Sequence, residues 1–315
     1  MMAQVLRTQL QEGRQDIKSN YLQAARNVTQ FLYLENQYFR WPPLAEEIKN
    51  AAAVQVAWGR NTAVHGPIYL FVVTNSSNEG MGDGTVNTYR MLRQLGRPDV
   101  IPEVSRLERR DELQERVAQA RQKVLDAQRE STLFNRGYGH IHGEWVSRAY
   151  EPIEARLKAA HKQYEELVAN LPQEDAKPVL PEEIPGLKVV VCTLVAPDSP
   201  PKNWLDVYIH SKLLIIDDVF TTLGSANINT RSMEVDSELN ICIEDPAVAR
   251  PLRKKLWGIH TDEQGAGDDI RVAFHTWTRI AGYNAANRRN SENLESPLSS
   301  LTEFRRESPS RTYKD

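Results

Sequence analysis

The chain has 315 residues, 40% of them apolar and 26% charged, with a formal net charge of −3. That length buries a full α/β core, in one large domain or two small ones, and the slight acidity offers no general attraction to nucleic acid or to anionic surfaces. Two cysteines are too few for a disulfide framework, and no stretch approaches the roughly 18 apolar residues of a membrane span.

The amino terminus, MMAQVLRTQLQEGRQ, lacks the apolar core of a signal peptide, so the expectation is a chain made in the cytoplasm without a simple address. The spacing of Val5, Leu6, Leu10, Ile17, Leu22 and Ala25 predicts a helix over 4–28. FLYLENQYF at 31–39 reads as a strand, and PPLAEEIKNAAAVQVAWG as a helix opened by its prolines. IYLFVV at 68–73 is a short apolar run typical of a buried strand. A Gly-rich loop, NEGMGDG, then leads to the helix TVNTYRMLRQLG.

From about 103 to 172 the chain becomes highly charged with apolar residues at helical spacing, which predicts two long amphipathic helices joined by FNRGYGHIHGEW. The Pro-rich segment 174–186 returns it to strand-like sequence: LKVVVCTLV, YIHSKLLII, FTTLG and ELNICI. Asp217–Asp218 supplies a tight turn between the second and third of these. Cys192 and Cys242 fall inside strand runs and read as buried free thiols. Two further helices close the pattern, AVARPLRKKLWGIH and DIRVAFHTWTRIAGYNAANR. The expected organisation is an α/β fold with a mixed β-sheet flanked by helices and an inserted pair of long helices. Its parts are 1–102, the insertion 103–173, the remainder 174–286, and a flexible Ser-rich tail over 287–315.

Alternation in YIHSKLLII predicts that His210 and Lys212 share one face of a strand. Two such groups on an otherwise apolar strand call for an anion between them, and phosphate fits. GSANINTRSM offers Ser225, Asn227 and Asn229 as neutral donors, and Glu238 follows, placed to accept a hydrogen bond from the His210 ring. An imidazole titrating near neutral pH attacks phosphorus or protonates a leaving oxygen. A carboxylate behind it fixes its tautomer. Lys212 and Asn227 would hold the non-bridging oxygens. No metal or other cofactor is required. His140 and His142 sit between glycines with no third ligand nearby, so they read as loop residues, not metal ligands.

The string His210-x-Lys212, four residues, Asp217, then Gly224-Ser225-x-Asn227 and Asp236-Ser237-Glu238 resembles the HKD signature of the phospholipase D superfamily. YLENQYF (33–39) is similar to the strand that opens the second lobe of two-lobed members, and LRKKLWGIHTDE to the helix after that lobe's last strand. The resemblance implies a phospholipase D-like lobe, catalysis through a phosphohistidine without metal, and His210 as acid/base partner to a nucleophilic histidine. Asp217, though part of the motif, is expected at a hairpin turn in a structural role. Glu35, Asn36 and Gln37 either end an exposed strand or face the site and contact the head group.

No second HxKxxxxD occurs among the seven histidines. The resemblance therefore implies completion of the site by a first-lobe HKD polypeptide or by a second copy of the chain, with YLENQYF favouring the separate polypeptide. The charged insertion, the segment TNSSNEGMGDGTVNTYRMLRQLG and the tail resemble bacterial phospholipase D effectors of type VI secretion. That resemblance implies a secreted protein acting on phospholipid membranes of a target cell, with an immunity protein as partner, while the acidic balance and the lack of a basic, aromatic-rich strand count against a nucleic-acid substrate. The competing readings are a nuclease or phosphatidyltransferase of the same superfamily, and a non-catalytic half-module that regulates a partner.

Overall fold

The computed structural model describes residues 2–290, 292 and 295–314. The chain divides into two compact units, one built from the chain up to Val104 and from Leu180 onward, the other from Ser105–Val179.

Among the described residues of the first unit, ten strands form one mixed sheet. They are β1 (Met2–Gln9), β2 (Arg14–Gln15), β3 (Phe31–Asn36), β4 (Ile68–Val73), β5 (Leu187–Val195), β6 (Asp206–Val207), β7 (Lys212–Ile216), β8 (Phe220–Gly224), β9 (Glu238–Glu244) and β10 (Leu301–Glu303). The order is β10-β5-β4-β3-β7-β8-β9-β1-β2, with β6 beside β5. Strands β3, β4 and β5 run parallel and the remaining pairings are antiparallel. The parallel strands are covered on both faces, which is why they read as unbroken apolar runs.

Side chains alternate between two cores. Leu32, Leu34, Leu70, Val72 and Leu214 face Ile17, Tyr21, Leu44 and Ile48 of helices Asp16–Arg26 and Pro42–Ala57. Phe31, Tyr33, Phe71 and Ile215 face Trp257, Phe274 and Trp277 of helices Pro246–Thr261 and Ile270–Arg289. The second core is aromatic, with Phe71 and Trp257 ring centroids 4.3 Å apart. The carboxyl ends of β3 and β4 meet the amino end of β7, with Asn36 opposite Lys212. In open α/β sheets this is where ligands bind.

Two expectations fail here. The helix predicted over 4–28 is confined to Asp16–Arg26, and Met2–Gln9 is instead a strand pairing with β9 from Met2↔Glu244 to Thr8↔Glu238. The edge of β9 offers a row of backbone groups that must be paired. Gly13, at φ 65, then turns the chain into the helix. The flexible tail predicted over 287–315 is also wrong. The preceding helix runs to Arg289, β10 pairs with β5, and Leu301 and Phe304 are fully buried. The Arg306 amide then donates to the Val100 carbonyl at 3.0 Å, and the Thr312 amide to Thr85 Oγ1 at 2.8 Å.

The second unit is a helical hairpin of Pro102–Tyr138 and Glu144–Ala176. The pairs Gln128–His161, Glu130–Arg156 and Ser131–Tyr150 converge in sequence, so the helices run antiparallel and close at 139–143. Ala120, Val124, Val146 and Ile153 form its buried seam.

Candidate functional site

Lys212 opens β7, and its side chain is buried, on the face it shares with Leu214 and Ile216. Its Nζ donates to Gln37 Oε1 at 3.0 Å and to the His210 carbonyl at 2.8 Å. Both acceptors are neutral, and among the described residues no carboxylate stands within 4.0 Å of Nζ. Burial pushes the ammonium below the usual lysine range, and the charge of Glu238 opposes that shift. A buried cation with only neutral partners is costly unless an anion joins it.

His210 lies two residues before β7, in extended chain outside the strand predicted for it. Its ring is exposed and stacks on Tyr208, with centroids 6.2 Å apart. The placement comes from Asn75, just past β4, whose Oδ1 accepts from the Ile209 amide and whose Nδ2 donates to the Ile209 carbonyl, both at 2.9 Å. The same Nδ2 reaches the Gln37 carbonyl at 3.1 Å, so one amide ties the ends of β3 and β4 to the histidine segment. Gln37 completes the frame. Its amide donates to the Ser211 carbonyl at 3.1 Å and its Nε2 to the Tyr208 hydroxyl at 2.7 Å.

The loop after β8 brings in the neutral groups. The Ile228 amide donates to Asn36 Oδ1 at 3.2 Å, which sets Asn227 beside the register pair Asn36–Lys212. Asn227 Oδ1 and Asn36 Nδ2 are buried without a hydrogen-bond partner. Glu238 begins β9 and accepts from Ser225 Oγ, and from Ser232 Oγ at 2.6 Å. Asn229 caps the short helix Thr230–Glu234 by accepting from the Ser232 amide at 2.9 Å.

The structure therefore brings His210, Lys212, Gln37, Asn36, Asn227, Ser225 and Glu238 to one end of the sheet and corrects two expectations. Glu238 does not receive the His210 ring; two serine hydroxyls occupy its oxygens, and among the described residues the ring makes no hydrogen bond. Glu35 is neither at an exposed strand end nor on the sheet face of Lys212. Alternation turns it with Tyr33 toward helix Pro246–Thr261, where it accepts from Ser211 Oγ and Tyr33 OH at 2.5 Å and contacts His260 Nε2 at 3.0 Å. Burial pushes its carboxyl up, but His260 and the two hydroxyls prevail and hold it at about 2. Asp217, the motif residue expected at a hairpin turn, sits at the far end of β7, about 16 Å away by strand rise. There it accepts from the amides of Thr29, Gln30 and Phe31 and the Thr29 hydroxyl, at 2.6–2.8 Å. Asp217 and Asp218 both have positive φ, 53° and 57°, as a type I′ hairpin turn requires.

Asn75, Ser232 and His260 were not singled out as site residues on sequence grounds. Each acts through contacts 6 to 225 positions away in the chain. Asn75, in an Asn-Ser-Ser loop directly after a buried strand, carried the one available signal, since strand carboxyl ends supply site residues in this architecture.

A buried ammonium, an exposed imidazole and side-chain amides thus gather at the carboxyl ends of strands in a mixed α/β sheet. Residues 187–259 match the family model of the cardiolipin synthase, phospholipase D-like domain, and on that segment the chain is similar to the phospholipase D superfamily. A phospholipase D of Phytophthora infestans is 39% identical over 102 residues, 26% of this chain and 6% of that protein. Cardiolipin synthase 1 of Staphylococcus epidermidis is 47% identical over 47 residues, 15% of this chain and 10% of that protein. The chain thus spans a tenth or less of the length of these relatives. Of solved structures, NucT from Helicobacter pylori is similar at TM-score 0.37 and 12% identity, covering 81% of this chain and 93% of that one.

Proposed function

We propose that this chain supplies one half-site of a phospholipase D-type phosphodiesterase that cleaves membrane phospholipids. The observation that carries the reading is the buried Lys212 ammonium with only Gln37 Oε1 and a backbone carbonyl as partners. A phosphate diester supplies the missing anion. Asn227, unpaired at Oδ1 and set beside Lys212 by the Ile228–Asn36 bond, holds a non-bridging oxygen through its Nδ2. His210 then serves as general acid toward the leaving alcohol and as base toward water.

A second HKD lobe, on another polypeptide or a second copy, supplies the nucleophilic histidine. Two features support an incomplete site. The His210 ring has nothing within the described chain to fix its tautomer. Separately, Leu223, Leu239, Ile241 and Val5 lie exposed on one face of β8, β9 and β1, an apolar surface suited to burial. Secretion toward a target cell, with an immunity protein as inhibitor, is part of the same reading and draws on the sequence resemblance alone.

The test is head-group release from phospholipid vesicles by the chain together with its completing lobe. His210→Ala is expected to lower release by at least about 10³-fold with an unchanged melting temperature. Undiminished release by that variant would remove His210 from the chemistry. If a phosphodiester of DNA were cleaved and lipid were not, the nuclease reading would replace this one.

A further inference from the structure

The helical hairpin of the second unit has a role that the half-site does not explain. Its shaft alternates acidic and basic residues, and pairs such as Arg156–Glu130 are solvated. The closed end differs. From 131 to 143, thirteen consecutive residues contain no carboxylate, while Arg136, His140 and His142 supply cationic or titratable nitrogen. The same stretch and its flank expose large apolar side chains: Leu133 at 68%, Tyr138 at 45%, Ile141 at 37% and Trp145 at 55%.

The exposed rings are held in place. Tyr138 packs against Trp145 with centroids 5.8 Å apart and against Phe134 at 5.2 Å, and Phe134 in turn meets Tyr150 at 5.4 Å. Tyr150 OH is tied to Ser131 Oγ at 2.8 Å, anchoring the cluster to the hairpin seam. Gly139 allows the turn, because a Cβ there would stand 2.5 Å from the Asn135 carbonyl oxygen. The result is a preformed aromatic cap on a charged rod. Among the described residues no helix is long and apolar enough to cross a membrane, so such a cap engages a surface and does not span it.

We propose that this cap docks the protein on anionic phospholipid bilayers, with Tyr138, Ile141 and Trp145 entering the interfacial layer and Arg136 meeting lipid phosphate. Tyr and Trp suit that depth because one end of each ring system is apolar and the other hydrogen-bonds water. The absence of carboxylates over 131–143 limits repulsion from an anionic leaflet, Glu144 beside Trp145 is paired with Arg148 at 2.6 Å, and each nearby cation adds attraction. Choosing a lipid surface over a protein partner rests on the reading of the half-site as acting on phospholipids. An enzyme whose substrate lies in a bilayer gains from a second, non-catalytic contact with it.

The experiment is co-sedimentation of the full chain with vesicles of phosphatidylglycerol and phosphatidylethanolamine, and with vesicles of phosphatidylcholine alone. The unaltered chain is expected to sediment with the anionic vesicles. The double variant Ile141→Ser, Trp145→Ser is expected to lower its partition at least about tenfold, and Trp145→Phe to retain most of it. Arg136→Glu, which leaves the aromatic cluster intact, is expected to abolish the preference for anionic over phosphatidylcholine vesicles. Hydrolysis of a short-chain phospholipid below its micelle concentration, assayed with the completing lobe added, should be unchanged in all three. Failure of the unaltered chain to sediment, or equal sedimentation by the double variant, overturns the proposal and leaves the cap as a protein-binding surface. Absence of hydrolysis even with the completing lobe added, together with intact, cap-dependent sedimentation, would instead sink the half-site reading alone.

Discussion

Strand β7 carries a charged motif residue at its start and another just past its end, and the two have opposite electrostatic fates. Lys212 is buried with two neutral acceptors and, among the described residues, no carboxylate within 4.0 Å, only the more distant charge of Glu238. Asp217 accepts four hydrogen bonds, three from backbone amides, and closes a turn that needs positive φ. A satisfied charge builds the fold, and an unsatisfied buried one awaits a ligand. The motif spells both in one string because a five-residue strand separates them.

Substitutions at the two ends sharpen that contrast. Lys212→Met removes a buried cation and keeps its apolar stem. Head-group release should fall by about 10³-fold, while the denaturant midpoint should stay the same or rise, because an uncompensated charge no longer has to be desolvated. A large drop in stability would mean that Lys212 is structural after all. Asp217→Asn preserves shape and tolerance of positive φ but leaves one oxygen where two accepted. We expect a loss of about 3 kcal/mol in unfolding free energy, read from denaturant curves, with release per folded molecule unchanged. Lost turnover at intact stability would place Asp217 in the chemistry and break the comparison.

What could be read in advance follows the same division between local and distant contacts. β4 and β5 and the helix Pro42–Ala57 announce themselves through local runs and helix-starting prolines. β1 does not, because Val5, Leu6 and Leu10 fit a helical spacing, and only the open edge of β9, more than 200 residues later, makes an extended chain preferable. The tail misleads by composition: its serines and arginines suggest disorder, yet Leu301, Phe304 and Arg306 are buried. At the site, the motif identifies His210 and Lys212 directly. The orientation of Glu35 was open because the segment YLENQYF does not reveal which side chains the next helix layer will claim. The strand stops at Asn36, and parity then assigns Glu35 to the helix face and Asn36 to the side of Lys212.

Glu35 gives the smallest and most pH-specific prediction. It sits beneath the segment that joins His210 to Lys212, holding Ser211 Oγ at 2.5 Å while Tyr33 and His260 hold it. Its carboxyl lies at about 2 in the folded protein against an ordinary 4.5. A depressed folded value means stability that is fully present above the unfolded pKa, and lost as pH falls from about 4.5 through about 2. Such a shift is worth about 3 kcal/mol at neutral pH. Gln at this position keeps an acceptor for Ser211 but not the charge, so Glu35→Gln should cost about 2 kcal/mol at pH 7. The gap between variant and unaltered chain should shrink steadily below pH 4.5 and close toward pH 2, as measured by denaturation at stepped pH. Release should fall only about tenfold, since Ser211 loosens but Lys212 and His210 remain. A stability gap that does not vary with pH would assign the cost to packing and sever Glu35 from the charge it is argued to carry.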